Sequence, residues 1–483
     1  MKKANLLFLP LLLVKSCGSD HKTIDENTKF NYVIIHVDDL GWTDLSGYGS
    51  EYYETPNIDR LAEEGMKFTD AYASAAVCSP SRAALLTGKY PARLGITDWI
   101  RAKFQGGIIP EHGSNPEGYE ESSGRPLLTP KNYLYLSTGE FTLAGYLKNE
   151  GYITGHIGKW HLGQEDQYPE HHGFDYNFGG CDLGQPPSYF DPYVDPRERE
   201  YYELHNLPPK KEGEYLTDRE GDEAVWFLRE HSDKQFFLHW APYAVHTPIQ
   251  GREDLVDKYN KKTPSSHHNN PVYAAMVESV DDNVGKVLDI LDSLDLAGNT
   301  MVIFTSDNGG LLGGPNNRIT SNYPLRSGKG YQYEGGIRVP FIVRLPRVVP
   351  AGSINHTPVA SIDIMPTIVD FSGEKDIGKY DFDGVSMVHL IQDPEKQIDR
   401  DLFWHFPHYR GNDVVPYSII RSGFDKLIKY YDGTPSELYN LEADLSESIN
   451  LADSRKGTVK KLEERIDQWT AGINAKLPKL IDP

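Results

Sequence analysis

Three stretches of the chain share one pattern, an apolar run that stops abruptly in polar residues. "FNYVIIHVDDLGW" stops at Asp38-Asp39, "QFFLHWAPYAVHTP" near His246, and "TMVIFTSDNGG" at Asp307-Asn308; "RVPFIVRLP" is a fourth run. Unbroken apolar runs of this length suit strands buried on both faces of a mainly parallel sheet. Helical patterns lie between them. In "TPNIDRLAEEG", Thr55 is a candidate N-cap, Pro56 the first helical residue and Gly65 the stop. "PVYAAMVESVDDNVGKVLDILDSL" places Tyr273, Val277, Val280, Val284, Val287, Leu291 and Leu294 on one stripe, as a helix packed on a sheet requires. The pattern predicts an α/β fold: a doubly wound, mixed and mostly parallel sheet sandwiched by helices, with its chemistry at the carboxyl ends of the strands.

From about Asp399 the pattern changes. "SIIRSGFDKLIKYYDGTPSELYNL" predicts a meander of short antiparallel strands, and "KKLEERIDQWTAGI" a final helix. The expected division is a leader over residues 1–17, a catalytic domain over 28–398 and a smaller C-terminal α+β subdomain over 399–483. Two irregular segments, Arg101 to Thr138 and Gln185 to Gly213, are expected as surface loops near the pocket.

Charge narrows the partners. A formal net charge of -21 excludes a phosphate-tracking nucleic-acid binder, which needs a basic face. It does not exclude an anionic substrate, because a few cations can dominate one pocket. The N-terminus reads as an export signal: Lys2-Lys3 precede the apolar run Ala4 to Val14, too short for a membrane span. Val14 and Ser16 before Cys17 resemble a bacterial lipoprotein cleavage site, although Lys15 is atypical there and a plain secretory signal is the alternative. The expected location is the periplasm or the outer surface of a bacterium, with membrane contact only through a lipid on Cys17. The other two of the three cysteines, Cys78 and Cys181, give no disulfide framework. For Cys181 the expectation is a buried small apolar residue.

Candidate chemistry gathers at the run ends. Asp38, Asp39, Asp307 and Asn308 offer only oxygen ligands, the preference of a hard cation, calcium more than zinc. Each pair alone is as well explained as a turn or cap; two pairs at strand ends of one sheet suggest a shared metal. "VCSPSRAALLTGKYPARLG" places Cys78 just before a helix that Ser79 would cap, Pro80 begin and Gly88 end. A helix N-terminus with Arg82 on its first turn attracts anions. A thiolate nucleophile there conflicts with a hard cation, a poor partner for sulfur.

The motif C-S-P-S-R at 78–82, followed by "AALLTGKYPARLG", resembles the signature of the type I, formylglycine-dependent, arylsulfatase-like sulfatases of the alkaline phosphatase superfamily. "VDDLGWTDLSGYG", "TPNIDRLAEEGMKF", "GKWHLG", "HTP", "TSDNGG" and "GKGYQYEGGIRVP" match further family elements in the family's order. The resemblance implies that Cys78 is converted before folding to 3-oxoalanine (formylglycine), by a formylglycine-generating or anaerobic maturase enzyme, so that position 78 offers oxygen to the metal. It further implies one Ca2+ held by Asp38, Asp39, Asp307, Asn308 and residue 78. Arg82 would hold the hydrated aldehyde, Lys159 and His161 would contact the hydrate and the sulfate, and His246 and Lys329 would lie on the leaving-group and sulfate oxygens. Of the two hydroxyls of the hydrate, one would attack sulfur in line and the other would later expel sulfate. Fixed cations in a water-poor pocket stabilise the charge this develops, and His246 is the expected donor to the leaving alcohol.

The expected substrate is a sulfated saccharide, of algal polysaccharides such as ulvan, carrageenan or porphyran, or of glycosaminoglycans. Two alternatives stand beside it: a phosphonate monoester or phosphodiester hydrolase of the same superfamily, and a non-catalytic glycan-binding lipoprotein. In "FWHFPHYRG", Trp404 would stack on a sugar ring, and His405 and His408 would select hydroxyls. An aromatic domain seam explains that segment equally well. His36, inside a strand run, is expected to be packed.

Overall fold

The computed structural model describes residues 29–101, 114–194, 204–314 and 317–481. The leader and Cys17 lie outside the described residues, as do parts of both irregular segments. Strands and helices named below are numbered in chain order.

Strand β1 (Asn31–Val37) explains why its sequence is an unbroken apolar run. Val33, Ile35 and Val37 enter one hydrophobic cluster, while Tyr32 and Ile34 enter another on the opposite face, and all five are fully buried. Successive side chains point to opposite faces, so a strand covered on both sides has no polar register to keep. The remaining strands of this sheet are β2 (Met66–Phe68), β3 (Ile153–Gly158), β4 (Tyr176–Phe178), β5 (Phe236–Ala241), β6 (Thr300–Ser306), β7 (Phe341–Arg344) and β8 (Ser353–Asn355). Their order across the sheet is β8-β2-β7-β6-β1-β5-β3-β4. Every neighbouring pair is parallel except those made by β7, which runs antiparallel to both β6 and β2. The chain leaves β6 at its carboxyl end and re-enters the sheet from that same end, without a crossover helix on the other side, so β7 must run the opposite way.

Helices cover both faces. On the Val33 side lie α1 (Pro56–Glu63), α4 (Leu216–Glu230) and α5 (Pro271–Ser293); on the Tyr32 side lie α2 (Cys78–Thr87), α3 (Leu143–Asn149) and α6 (Ile364–Phe371). Six residues of the expected α5 stripe, Tyr273 to Leu291, are buried, and Leu294 packs at the helix end. Asn270 caps α5 by accepting from the Val272 and Tyr273 amides. Thr55 is the N-cap of α1, but its hydroxyl accepts from the Ser46 amide instead of the helix's own first turn. Gly65 follows α1 because β7 comes close: a Cβ there would lie 2.4 Å from the Val343 carbonyl oxygen.

The C-terminal meander is β9 (Asp401–Phe406), β10 (Tyr417–Ser422), β11 (Asp425–Tyr430) and β12 (Glu437–Asn440), antiparallel in that order. On one face Ile420, Leu427 and Leu438 meet Leu462 and Ile466 of α7 (Lys456–Gly472). The other face, with Trp404, Ile419 and Ile428, shares a core with Tyr72, Ile337 and Ile362 of the larger body. Lys479 and Leu480 then pair with Leu128 and Leu127, far back in the chain. The change of pattern near residue 399 therefore marks a packed seam rather than a linker.

A buried ionic cluster closes that seam. Lys426 of β11 donates to Glu334 at 3.0 Å and lies 2.8 Å from Glu447, and all three side chains are 0% exposed. Tyr72 donates to Glu334 at 2.7 Å, and Arg421 pairs with Asp70 at 2.6 Å. Removing one partner of such a set leaves a buried charge unanswered. Lys426→Met should therefore destabilise the protein by about 3–5 kcal/mol. Lys429→Ala, which loses a partly exposed pair with Asp467 and a distant contact over the Tyr431 ring, should change stability by no more than about 1 kcal/mol. Urea unfolding of the two variants side by side checks this.

Candidate active site

β6, β1, β5 and β3 are consecutive and parallel, so their carboxyl ends open on one edge of the sheet. β6, β1 and β5 are each followed by one of the polar clusters, and β3 by Lys159, where an α/β sheet puts its chemistry. Val37 and Ser306 are the last register pair of β1 and β6, so Asp38 and Asp307 emerge side by side. The Asp38 amide donates to the Ala244 carbonyl at 3.1 Å, and the Val245 amide to the Asp38 carbonyl at 2.8 Å. This extends the contact of β1 with β5 and sets His246 Nε2 3.5 Å from Asp39 Oδ2. Lys159 follows β3 directly and donates to Asp38 Oδ2 at 2.7 Å.

Two site residues adopt the left-handed backbone region that side chains seldom enter: Asp39 at φ 59° and His161 at φ 61°. Tertiary bonds hold both. The Asp39 amide donates to Asp307 Oδ1 at 3.1 Å. The His161 amide donates to the Cys181 carbonyl at 3.0 Å, and its Nε2 lies 2.6 Å from the Ile100 carbonyl oxygen. Cys181 is itself buried, with its thiol pushed up to about 11 mainly by burial, as a packed structural cysteine should be.

Helix α2 begins two residues earlier than its sequence suggests. Cys78 is its first residue and Val77 its N-cap. Ser79 does not cap; its hydroxyl accepts from the Ile100 amide at 3.0 Å. Pro80 is tolerated because amides of a first turn lack intrahelical partners in any case. Gly88 ends the helix at φ 67°, as expected. Cys78 is 2% exposed, yet it forms part of the wall of a cleft of about 200 Å³ together with His161, His246 and Lys329.

Behind that wall lies a buried charge cluster. Arg82 Nε donates to Asp307 Oδ2 at 2.9 Å and Nη1 to the Lys159 carbonyl at 2.8 Å. Lys329 Nζ reaches both carboxylate oxygens of Asp39, at 2.6 and 2.8 Å. Burial alone would raise the Asp307 carboxyl; Arg82 and Lys159 outweigh it and hold it well below the usual carboxylate range. The Lys329 ammonium is raised: burial opposes its charge, but Asp39 and the Cys78 position outweigh that. Burial, then Lys329, push the His246 imidazole down to about 3.

All ten expected catalytic and metal residues converge: Asp38, Asp39, Cys78, Arg82, Lys159, His161, His246, Asp307, Asn308 and Lys329. They are not equivalent, however. Arg82 and Lys159 are fully buried behind the carboxylates instead of lining the cleft. The donor set fits a hard cation on one structural observation. Asp38 Oδ1, with only Arg82 Nη2 at 3.7 Å, and Asn308 Oδ1 are buried oxygens with no hydrogen-bond partner, and such atoms are costly unless something else coordinates them. Asp38, Asp39 and His246 bring ligand atoms within 4.8 Å of one another.

The expected sugar contacts are corrected. Trp404 and His405 lie inside strand β9, and both are buried. Trp404 Nε1 donates to the Ala73 carbonyl at 2.8 Å; His405 is held between Ser418 Oγ and the Lys476 carbonyl. His408 is buried on Thr97 Oγ1 at 2.8 Å. These residues form the seam, because their ring N–H groups and apolar faces are already used within the fold. His36 is packed as expected, fully buried in β1. The cleft instead takes Arg410 from the same segment, with Trp99 and Gln185. Gln185 opens an irregular segment expected near the pocket. Arg410 closes a quoted aromatic segment and was legible only as a lone cation there, and Trp99 carries no sequence signal.

Comparison with known proteins gives concordant matches. One family model, Sulfatase, matches residues 30–374, and a second, N-sulphoglucosamine sulphohydrolase, C-terminal, matches residues 327–472. A sulfatase of Formosa agariphila is 34% identical, over 98% of this chain and 95% of its own length. N-acetylgalactosamine-6-sulfatase of Rattus norvegicus is 33% identical, over 80% of this chain and 70% of its own. The crystal structure of Ps i-CgsB in complex with k-i-k-neocarrahexaose superposes with a TM-score of 0.74 at 30% identity, covering 92% of this chain and 93% of that one.

The turn after β6 has no room for a side chain. A Cβ on Gly309 would lie 1.8 Å from the Gly335 carbonyl oxygen, so the Asp307-Asn308 turn is set by direct backbone packing. Gly309→Ala should cost about 1–3 kcal/mol or more, the scale of an overpacked core, and lower turnover by displacing Asp307 and Asn308. Gly457→Ala, on α7 with nothing within 4 Å of its Cβ, should do neither. Thermal melts with parallel activity assays compare the two.

Proposed function

The chain belongs to the sulfatase family, and we propose that it strips sulfate from sulfated saccharides during polysaccharide breakdown, with one calcium ion and a formylglycine made from Cys78. It is a sulfuric ester hydrolase. The observation that carries the reading is a small cleft with Cys78, His161, His246 and Lys329 on its wall and three carboxylates directly behind. Its volume, about 200 Å³, admits a sulfate ester group together with part of the sugar that carries it. The saccharide is supported by what the relatives act on or bind: N-acetylgalactosamine-6-sulfatase by its name, and Ps i-CgsB by its bound carrahexaose. Algal polysaccharides and glycosaminoglycans are the two source classes.

Calcium would supply Lewis-acid stabilisation of the ester oxygens, held by Asp38, Asp39, Asp307, Asn308 and residue 78. As formylglycine, residue 78 would supply two hydroxyl oxygens when hydrated, one to attack sulfur and one to expel sulfate. Lys329 on the wall stabilises the negative charge on the sulfate oxygens, and its salt bridge to Asp39 fixes the ammonium before substrate arrives. Arg82 and Lys159 act from behind, holding Asp307 and Asp38 in place. His246 turns Nδ1 to the Thr247 carbonyl at 3.0 Å, which leaves Nε2 toward the cleft. To protonate the leaving oxygen that nitrogen must first take up a proton, which burial and Lys329 oppose and which Asp39 and a bound anion favour. Export, with a lipid on Cys17 and a maturase acting on Cys78, completes the reading. Among the described residues no helix is long and apolar enough to cross a membrane.

Two measurements test it. Desulfation of a panel of defined sulfated saccharides, read by mass spectrometry, should identify at least one good substrate, with an aryl sulfate turned over in preference to an aryl phosphodiester. Intact mass of the same active protein should show residue 78 lighter than cysteine by the thiol-to-aldehyde change; full activity with a thiol at 78 contradicts the mechanism. Separately, chelation should lower both the thermal midpoint and turnover, and calcium should restore both. Recovery with zinc alone would point to a nitrogen-rich site instead.

A further inference from the structure

Arg410, half-buried, stands apart from the buried arginines of the molecule. Arg82, Arg219, Arg338, Arg344 and Arg421 all have carboxylate partners. Arg410 has no side-chain hydrogen bond or ion pair among the described residues, and its Nη1 is a buried donor with no partner. The nearby carboxylate, Asp98, feels the Arg410 charge but lies beyond ion-pair distance and accepts its hydrogen bond from the Trp99 amide at 2.9 Å. A guanidinium donor held out of water without a partner is costly, so its position calls for a ligand.

The fold holds this guanidinium at the cleft. The Arg410 amide donates to the Val414 carbonyl at 3.0 Å, closing a small loop after β9. Its side chain lies flat on Gly330, where a Cβ would come within 2.5 Å of the guanidinium carbon. Gly330 adjoins Lys329, so the two cations flank one opening. Arg410 lines the cleft with Trp99 and Gln185, next to Cys78. The groups expected to handle the cleaved ester come from strand ends, helix α2 and the Lys329 loop, whereas Arg410 comes from the C-terminal seam.

We infer that Arg410 is a specificity residue that receives a second anionic group of the saccharide, a carboxylate or a further sulfate, beside the ester that is cleaved. This rests on the saccharide sulfatase reading above. A planar fork of donors matches both oxyanions bidentately, which an ammonium does not. In a chain with a net charge of -21, an unpaired cation at the cleft also draws such a substrate inward against the general field. A neutral ring would leave the fork unsatisfied, and a site built for a polar group discriminates against ligands that lack it.

The test uses the full, calcium-loaded protein and four substrates: an aryl sulfate, a monosulfated neutral disaccharide, its uronate analogue and its disulfated analogue. Wild type should prefer one doubly anionic saccharide, and which one separates carboxylate from sulfate. Arg410→Gln should lower kcat/KM for that saccharide, relative to the neutral one, about ten-fold or more, the loss of one charge-assisted contact, mainly through KM. Arg410→Lys should fall between. Equal losses on all four substrates would place Arg410 on the cleaved sulfate and overturn the inference, as would unchanged ratios or a wild-type preference for the neutral ring. Melting temperatures establish that the variants are folded. If wild type hydrolyses neither aryl sulfate nor any saccharide, the sulfatase reading itself falls, which is a distinct result.

Discussion

Charge balance in a dry place is the constraint on which this molecule turns. Asp38, Asp39 and Asp307 are buried at the sheet edge, and Lys159, Lys329 and Arg82 answer them one for one. Burying any one of these charges alone would cost several kcal/mol. The six are therefore tolerable only as a set, and no pair of them is local. Lys159 is 121 residues from Asp38, Arg82 is 225 from Asp307, and Lys329 is 290 from Asp39. The site is consequently a product of the completed sheet, not of any motif by itself.

The second buried ionic cluster serves the first. Glu334, which Lys426 of the C-terminal meander neutralises, lies five positions along the same short segment as Lys329. Arg326, at the start of that segment, donates to Tyr439 and to the Glu447 carbonyl. The Gly330 amide donates to the Ala76 carbonyl at 2.7 Å, just before Cys78. The C-terminal meander thus clamps the loop that carries a cleft cation, and that loop braces the start of α2. A small subdomain without strand-end chemistry of its own contributes by fixing where Lys329 stands.

Much of this was legible in the sequence, for a specific reason. β1 and β6 are apolar runs ending in a polar pair, and β5 is a run ending near His246; a parallel sheet makes those ends coincide, so Asp38, Asp39, Asp307, Asn308 and His246 follow from the pattern. The antiparallel entry of β7 was not legible, because its residues are apolar whichever way the strand runs. Nor was the burial of Trp404, His405 and His408: an aromatic ring with one N–H looks the same in a seam as on a sugar platform, and only the partner, here the Ala73 or Lys476 carbonyl, decides. Trp99 and Arg410 reach the cleft through tertiary placement alone. The start of α2 was misjudged because Ser79 has good capping chemistry but spends it on the Ile100 amide.

Residue 78 sits 2% exposed in the finished fold, at the start of a helix buried along its length. No enzyme can grip a side chain so placed, so the conversion proposed for Cys78 would belong to the nascent chain. The strand Lys479–Leu480, which pairs back to Leu127–Leu128, emerges about 400 residues after position 78. At ordinary synthesis rates of roughly 5–20 residues per second, that is an interval on the order of tens of seconds. The topology that makes the site long-range also keeps the body from closing early, and so would set a clock for the proposed chemistry on the unfolded segment.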